Sequence, residues 1–411
     1  MSERISVRGD RDFRILWAGR AAGQLAAAMS GVVVQVLAVT ALGADLSDVA
    51  LLAAVTAAVT AVLALPTGLF VEYRRKRPVM LAAELIRAAG FGGVLLAGWL
   101  GGLRFELLVL AAAVVAVGQV GYLAASSPHL AALVSRRRLV DATGRLESTV
   151  WLSVTIGPAV AGALVAWTGP VAAVAALVVG FAVSAGTVML LRTPEPEPAV
   201  PEPGGSRSSE LLAGLRYVRH HPELRRILAG WLLFAGASGM AAPLTTVFYL
   251  RELQFSSVEY GLLMGVPSLG GLLGARLAGP LASRWGAVRV ARWAGLARSP
   301  WWLLTASVVP GPAAAWLTGG AFALLLVFAA LTNSVLAAYR QIVTPDHLLS
   351  RVATLWSFTT TASQPVFIVV GGVLAELVGV RASLCVVAGL VLLSGMLLPS
   401  GSPPASRPAA G

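Results

Sequence analysis

The chain has 411 residues, of which 57% are hydrophobic and only 12% charged, and its formal net charge at pH 7 is +12. A soluble globular protein needs more polar side chains than this to cover its surface, so the composition excludes that class and indicates a protein whose solvent is lipid. The basic excess is compatible with nucleic-acid binding, but a membrane topology with basic cytoplasmic segments explains it without nucleic acid.

Twelve largely apolar stretches are long enough, at about 20 residues or more, to cross a bilayer as helices. They lie near residues 13–42, 47–72, 78–100, 104–135, 140–167, 170–191, 224–250, 257–283, 287–309, 312–339, 349–378 and 380–399. We therefore predict an all-α membrane protein with twelve transmembrane helices.

Landmarks of the first half recur in the second half, displaced by about 210 residues. Gly68–Arg75 closes one apolar stretch and Gly279–Gly286 closes its counterpart, while Arg87 and Arg298 lie at the same displacement. This repeat predicts two pseudo-symmetric six-helix bundles around a cleft near the bilayer midplane, the architecture that secondary transporters use for alternating access.

The segment between the halves has a different composition. Residues 193–209 are rich in Pro, Glu, Gly and Ser, which predicts an extended, mobile tether. Glu210–Arg219 has one apolar face and an opposite basic face, which predicts an amphipathic helix along the inner membrane surface. The proline-rich tail is expected to be disordered. The predicted division is a first bundle at 1–192, a linker with its helix at 193–222, a second bundle at 223–400 and a tail at 401–411.

The basic residues predict the orientation in the membrane. With the N-terminus inside, most of the 31 Lys and Arg fall in cytoplasmic segments, and only Arg104, Arg251 and Arg381 fall outside. The positive-inside rule thus predicts a multi-pass protein of the plasma (inner) membrane with both termini in the cytoplasm. Anionic lipid accounts for the net charge, so the lipid bilayer is an expected partner and nucleic acid is not.

Three motifs carry a family resemblance. The loops Gly68–Arg77 and Gly279–Gly286 match a Gly-x-Leu-Ala-Asp-Arg-x-Gly motif, the first loosely and the second closely. Gly157–Gly162 matches Gly-Pro-x-x-Gly-Gly with one alanine in place of glycine. Leu331–Gln341 with Thr344–Val352 is similar to an Arg-Gln run followed by Thr-Pro-Asp-x-Leu-Leu-Gly-Arg-Val. On these motifs nearly the whole chain resembles the major facilitator superfamily, and within it the macrolide-efflux and enterobactin-exporter branch of drug:proton antiporters.

The resemblance implies gating roles for residues of the motifs. They are Gly68, Glu72, Arg75, Arg77, Gly157, Pro158, Gly279, Arg284, Arg340 and Arg351. A carboxylate such as Glu72 at a helix end can accept hydrogen bonds from a facing helix N-terminus or from Arg351, which would latch the cytoplasmic side. The alternatives are that Arg74–Arg77 only anchors the topology and that Gly157 and Pro158 serve ordinary helix packing.

Polar side chains inside the spans predict where a substrate binds, because they are costly in lipid and should face the protein interior. The candidates are amides together with aromatic and soft apolar side chains: Gln24, Gln35, Gln119, Tyr122, Trp151, Phe234, Met240, Asn333, Trp356 and Gln364. An apolar cavity with a few neutral hydrogen-bonding groups suits a small amphipathic molecule. Each amide has the alternative role of joining two helices.

Carboxylates inside the spans are few. Glu84 lies three residues before Arg87, where the two can pair, and Glu147 lies beside another arginine. The resemblance implies coupling to protons, for which Glu84, Arg87 and Glu147 are the candidates; structural ion pairing is the alternative. Arg20 and Arg298 have no acid nearby in the sequence, and we expect them to contact an anionic group or to pair with these two glutamates.

The sequence offers no site for a cofactor or a metal. Its four histidines lack metal-ligand spacing and are expected to be solvated or to cap helices, and its single lysine lies outside any nucleotide-binding loop. We predict a monomeric, non-enzymatic transporter that exports small amphipathic molecules, such as drugs, antibiotics, siderophores or secondary metabolites, in exchange for protons, with multidrug resistance as a consequence. The alternatives are an importer of the same fold and a membrane sensor or intramembrane enzyme that transports nothing.

Overall fold

A computed structural model describes residues 2–134, 139–195 and 207–400, and every regular element in these ranges is helical. The helices are α1 (Ser2–Val36), α2 (Leu46–Glu72), α3 (Lys76–Trp99), α4 (Phe105–Leu133), α5 (Leu139–Thr168), α6 (Pro170–Leu190), α7 (Arg207–His220), α8 (Pro222–Val247), α9 (Ser257–Gly265), α10 (Ser268–Trp285), α11 (Ala287–Ala297), α12 (Pro300–Ser307), α13 (Ala314–Val343), α14 (Asp346–Val378) and α15 (Val380–Met396). Two π-helical turns, Leu37–Ala41 and Phe248–Glu252, continue α1 and α8. Most of the predicted tether and the predicted tail lie outside the described residues.

Ten helical segments of the described chain are long and apolar enough to cross a membrane. The helix α15 is also apolar but shorter, with 17 residues. The remaining predicted stretch is occupied by α11 and α12, so each of the twelve predicted stretches corresponds to helix. The prediction of an all-α membrane fold is confirmed.

The ninth predicted stretch, 287–309, is not one continuous helix. The helix α11 ends at Ala297 and α12 begins at Pro300. Proline lacks an amide hydrogen and fits best at the first helical position, so Pro300 starts a new helix. The break leaves Arg298 and Ser299, both buried, between the two helices.

Packing divides the chain into two compact units, of which the first comprises Met1–Pro203 and Tyr249–Gly265. In this unit α3 packs on α4 and α6, while α1 packs on α5 and α6. The second unit comprises Gly204–Phe248 and Val266–Gly411. There α8 packs on α14 and α15, α10 packs on α13, and α11 packs on α13 and α15. The predicted bundle limits stay a prediction.

Within the first unit, α5 and α9 touch backbone to backbone. A Cβ built at Gly162 would lie 2.2 Å from the carbonyl oxygen of Ser257, and one at Gly261 would lie 2.4 Å from that of Pro158. Real side chains never approach this closely, so only glycine allows the contact. The last glycine of the predicted Gly-Pro motif therefore has a direct steric role in this unit.

Candidate functional site

A buried ion pair lies inside the first unit. Glu84 is 0% exposed and Arg87 is 2% exposed. Arg87 Nη1 donates to Glu84 Oε2 at 3.1 Å, and the hydroxyl of Ser184 on α6 donates to Glu84 Oε1 at 2.7 Å. The pair that the three-residue spacing predicts is thus present and joins α3 to α6. Its part in proton coupling stays a prediction.

Aromatic rings and a second arginine complete this charged cluster. The guanidinium carbon of Arg87 lies 3.9 Å from the ring centroid of Phe181 and 5.8 Å from that of Tyr122. A desolvated cation over an aromatic face gains about 2 kcal/mol. Arg20 interacts electrostatically with Tyr122, and its buried Nε has no hydrogen-bond partner among the described residues. The cluster therefore holds two guanidinium groups and one carboxylate.

The second unit contains a buried guanidinium that no carboxylate of its described residues balances. Arg298 is 1% exposed. Its Nε donates to the carbonyl oxygen of Gly295 at 3.1 Å, its Nη2 donates to Ser394 Oγ at 2.9 Å, and its carbon lies 3.7 Å from the ring centroid of Phe234. Within the described chain, Nη1 has no hydrogen-bond partner. A contact to an anionic group stays a prediction for this residue.

The two buried arginines occupy matching positions but are compensated differently. At the displacement that separates them, Glu84 corresponds to Gly295 and Gly23 corresponds to Phe234. In the first unit a Cβ at position 23 would lie 3.0 Å from Glu84 Oε1, so the carboxylate leaves little room for a side chain there. In the second unit the acid is missing and the phenylalanine ring covers the guanidinium. Between the first unit and the second, Phe234 thus takes the place of Gly23, and Gly295 takes the place of Glu84.

The predicted substrate residues differ in burial. Tyr122, Met240 and Trp356 are buried, Gln24, Gln35, Gln119, Phe234 and Gln364 are half-buried, and Trp151 and Asn333 are exposed. In the second unit Met240 and Gln364 both lie at the α8–α14 interface, where Met240 Cγ lies 2.5 Å from the Cβ position of Gly371 and Gln364 Cγ lies 3.4 Å from that of Gly239. The buried Oε1 of Gln35 has no hydrogen-bond partner in the described part of the chain. That unused acceptor is the clearest polar feature among the predicted amides.

Two motif arginines make structural contacts within their own units. Arg77 donates through Nε to the carbonyl oxygen of Val188 at 3.0 Å and through Nη2 to that of Met189 at 2.7 Å. A cation at these terminal carbonyls stabilises the C-terminus of α6. Arg340 lies 4.5 Å from the ring centroid of Trp356. These contacts give both arginines roles beyond topology.

The motif glycines also differ in what surrounds them. A Cβ at Gly157 would lie 2.7 Å from Ala28 Cβ, so this glycine brings α5 close to α1. At Gly68 and Gly279 an added Cβ would meet no described atom within 4 Å. Packing within a unit therefore explains why position 157 is a glycine, but it does not explain the glycines at positions 68 and 279.

The predicted latch joins residues of different units and stays a prediction. Glu72 is half-buried in the first unit, and Arg351 is half-buried in the second. Pro158 is buried, whereas Arg75 and Arg284 are exposed, with Arg284 lying 5.7 Å from the ring centroid of Trp285.

Glu147 does not form the second ion pair that the sequence suggests. Glu147 and Arg145 are both exposed, and no ion pair joins these two described side chains. Residues two apart on a helix point to different sides, which explains why this pair does not form while the pair three apart does.

The first residues of the predicted tether are held by the first unit. Asp12 Oδ2 accepts from the amides of Arg192 at 2.9 Å and Thr193 at 2.6 Å. The Glu195 carboxylate accepts from the first two amides of α3, where the helix N-terminus favours a negative charge. His129 is 5% exposed, with Nδ1 4.0 Å from that carboxylate. The expectation of a solvated or capping histidine is therefore wrong for His129.

Sequence reasoning missed the partners that reach the buried charges from other helices. These are Ser184 and Phe181 on α6 and Ser394 on α15. The sequence does contain a signal for the two serines. Ser184 and Ser394 lie about 210 residues apart, each on the last helix of its half, and Arg87 and Arg298 have nearly the same separation.

Repeated membrane-spanning helices with buried charged groups define a multi-pass membrane transporter as the class of protein. The family model of the Major Facilitator Superfamily matches residues 16–251. The chain belongs to this superfamily, and it is a transporter and not an enzyme. The efflux branch within the superfamily stays a prediction.

Solved structures with this fold include several transporters. A bacterial homologue of the iron transporter ferroportin has a TM-score of 0.76 at 17% identity, over 94% of this chain and 97% of that one. A POT family transporter in complex with 5-aminolevulinic acid has a TM-score of 0.74 at 12% identity, over 94% and 95%. A bacterial homologue of the human lysosomal transporter Spinster has a TM-score of 0.72 at 14% identity, over 95% and 96%. At these identities the likeness shows the fold alone. No curated protein matches the chain.

Proposed function

We propose that the protein exports small amphipathic molecules in exchange for protons by alternating access. The observation that carries this proposal is the carboxylate of Glu84, which lies fully buried within a membrane span in contact with Arg87 and Ser184. The direction of transport rests on the resemblance of the motifs to those of drug:proton antiporters.

Glu84 has the chemistry that a proton carrier requires. A group that exchanges protons across a membrane must titrate inside the span, and such groups are otherwise too costly to keep there. Protonation removes the negative charge that holds Arg87. Two protonation states with two sets of contacts supply the pair of conformations that coupling needs.

The substrate class follows from the side chains available inside the units. Each unit supplies half-buried amides, Gln24 and Gln119 in the first and Gln364 in the second, and the second unit also supplies the half-buried ring of Phe234. Small-molecule sites of this kind bury most of the ligand against apolar surface and orient it with a few neutral polar groups. A bulky amphipathic compound meets this description better than a sugar or an amino acid.

The proposal includes a location and an assembly state. The distribution of basic residues supports a plasma (inner) membrane protein with both termini in the cytoplasm. Each chain carries its own proposed coupling group, so a monomer suffices for the cycle. Accessibility of cysteines introduced at position 9 and in the 101–104 loop to a membrane-impermeant reagent tests the topology, since the two are expected on opposite sides.

The function is tested with purified protein in proteoliposomes under an imposed pH gradient. A panel of lipophilic dyes and antibiotics is followed in wild type, Glu84→Gln and, as a matched carboxylate, the exposed Glu147→Gln. We expect Glu84→Gln to lose transport driven by the gradient while retaining exchange of substrate between the two sides. Glu147→Gln should retain both activities.

Three results would contradict the proposal in different ways. If no compound moves in response to the gradient, proton-coupled transport is wrong. If Glu84→Gln keeps gradient-driven transport, Glu84 is not the carrier. If substrate accumulates on the cytoplasmic side when protons flow inward, the protein is an importer of the same fold.

A further inference from the structure

An apolar groove lies on the surface of the second unit, where α10 ends and α11 begins. Its volume is about 500 Å³. The lining residues are Leu281 and Trp285 of α10, Arg289, Val290, Trp293, Ala294 and Ala297 of α11, and Phe328 and Leu331 of α13. Trp285 is 53% exposed and Trp293 is 68% exposed, so the groove opens to the outside. Its volume is in the range of pockets that hold one small ligand.

The groove lies at a membrane boundary and continues into the apolar region. Trp285 is the last residue of the span Ser257–Trp285, so the mouth lies where that span leaves the hydrocarbon. Tryptophan is enriched at this level because its ring is apolar and its N–H is polar. Deeper in, Val290, Ala294 and Phe328 present only hydrocarbon and an aromatic ring. A ligand that fits must therefore have a long apolar part and a polar end at the boundary.

The charges around the mouth select the sign of that polar end. Residues 260–345 contain no Asp or Glu but six arginines: Arg276, Arg284, Arg289, Arg292, Arg298 and Arg340. Arg292 donates to the carbonyl oxygen of Leu398, and Arg298 is buried. Arg284 and Arg289 remain exposed at the end of α10 and on the groove wall. Each basic residue near a membrane surface attracts anionic lipid.

We propose that this groove binds one acyl chain of an anionic phospholipid, with the phosphate at Arg289 and the two tryptophans beside the headgroup. A zwitterionic lipid fits less well, because its ammonium group would meet arginines and no carboxylate in this stretch of the chain. By the proposed topology the lipid comes from the inner leaflet. The site is built from residues of the second unit alone and does not depend on what the protein transports.

The test uses the two groove tryptophans as reporters. Wild-type protein is placed in phosphatidylcholine nanodiscs that contain a small, equal fraction of either acyl-brominated phosphatidylglycerol or acyl-brominated phosphatidylcholine. Bromine quenches tryptophan fluorescence on contact, and the groove contribution is the difference between wild type and the Trp285→Phe/Trp293→Phe variant. We expect the groove tryptophans to be quenched several-fold more by the brominated phosphatidylglycerol than by the brominated phosphatidylcholine.

Arginine variants decide whether the preference belongs to this site. Arg289→Gln should reduce quenching by phosphatidylglycerol to the level of phosphatidylcholine, while Arg145→Gln, an exposed arginine on α5, should leave the preference intact. Native mass spectrometry gives a second measurement that needs no tryptophan variant: wild type and Arg145→Gln should retain one more phosphatidylglycerol than Arg289→Gln. Equal quenching by both lipids, an unchanged preference in Arg289→Gln, or an equal loss in Arg145→Gln would overturn the proposal.

Discussion

Replacing Arg87 by methionine should destabilise the protein more than the same replacement of Arg298. The Glu84 carboxylate is 0% exposed and has two hydrogen bonds, of which Arg87→Met removes the one from Arg87 and keeps the one from the Ser184 hydroxyl at 2.7 Å. Breaking a buried ion pair by removing one partner costs about 3 to 5 kcal/mol. Arg298→Met leaves a hydroxyl and a carbonyl oxygen without their donor, and a neutral group left in this way costs about 1 to 3 kcal/mol.

The free energy of unfolding that Arg87→Met can lose has an upper limit, and this limit depends on pH. Without the arginine, Glu84 can avoid a buried charge by taking a proton. At pH 7 this costs a glutamic acid with the ordinary pKa of about 4.3 roughly 3.7 kcal/mol, in the range expected for the broken pair. The cost falls as the pH approaches that ordinary value. Arg87→Met should therefore regain stability relative to wild type on acidification, whereas Arg298→Met should not.

The assay is thermal unfolding in mild detergent, followed by tryptophan fluorescence at pH 7 and pH 5. For a unit of about 200 residues, 1 kcal/mol corresponds to roughly 2 to 4 °C in Tm, so a loss between about 3 kcal/mol and the upper limit of about 3.7 kcal/mol should lower the melting temperature of Arg87→Met by roughly 6 to 15 °C at pH 7. The double variant Glu84→Gln/Arg87→Met should recover most of this loss, since it leaves no unpaired buried carboxylate. Equal losses for Arg87→Met and Arg298→Met, or a deficit in Arg87→Met that is the same at both pH values, would refute this account of the pair.

Two further predictions concern the helix contact and the helix cap of the first unit. Gly162→Ala should sharply lower the yield of monodisperse protein in size-exclusion chromatography, because the added carbon would lie 2.2 Å from the carbonyl oxygen of Ser257; Gly186→Ala, with no described atom within 4 Å, is the control, and equal yields would contradict the contact. Asp45→Ala should cost about 1 kcal/mol, because Asp45 Oδ1 caps α2 by accepting from the amide of Asp48 at 2.9 Å. That hydrogen bond lowers the pKa of Asp45, so its contribution is present above the ordinary pKa and is lost as the pH falls through the lower value of the folded state. A melting deficit that fails to shrink in acid would argue against the cap.

The membrane fold could be predicted because lipid imposes a strict rule on length and polarity. Each span needs about 20 apolar residues, so each one can be recognised from its own segment of the sequence without knowledge of its neighbours. The break in the ninth stretch was also readable, since Pro300 follows the polar pair Arg298 and Ser299. It was missed because hydropathy alone does not register a lost amide hydrogen.

The candidate site could be predicted only where its contacts are local. Glu84 and Arg87 lie three residues apart on one helix, so their pairing follows from helix geometry. The contacts from Ser184 and Phe181 come from α6, about a hundred residues away, and no local spacing reveals them. The burial of His129 depends on Glu195 in the same way, because that carboxylate comes from the segment for which composition predicts a free tether.

The buried arginine of the first unit is compensated by a glutamate and that of the second unit by a phenylalanine, and this difference has a chemical consequence. Both arrangements offset a buried guanidinium, since a carboxylate does so by charge and an aromatic face by its quadrupole. A carboxylate can be neutralised by a proton, whereas an aromatic ring cannot. Of the two matching arginine sites, the one around Arg87 therefore holds a group that a proton can neutralise, and the one around Arg298 holds an aromatic ring in its place. If protons drive this transporter through the repeated arginines, the chemistry must reside in the first unit, and Arg298 with Phe234 supplies a matched site from which the titratable group is missing.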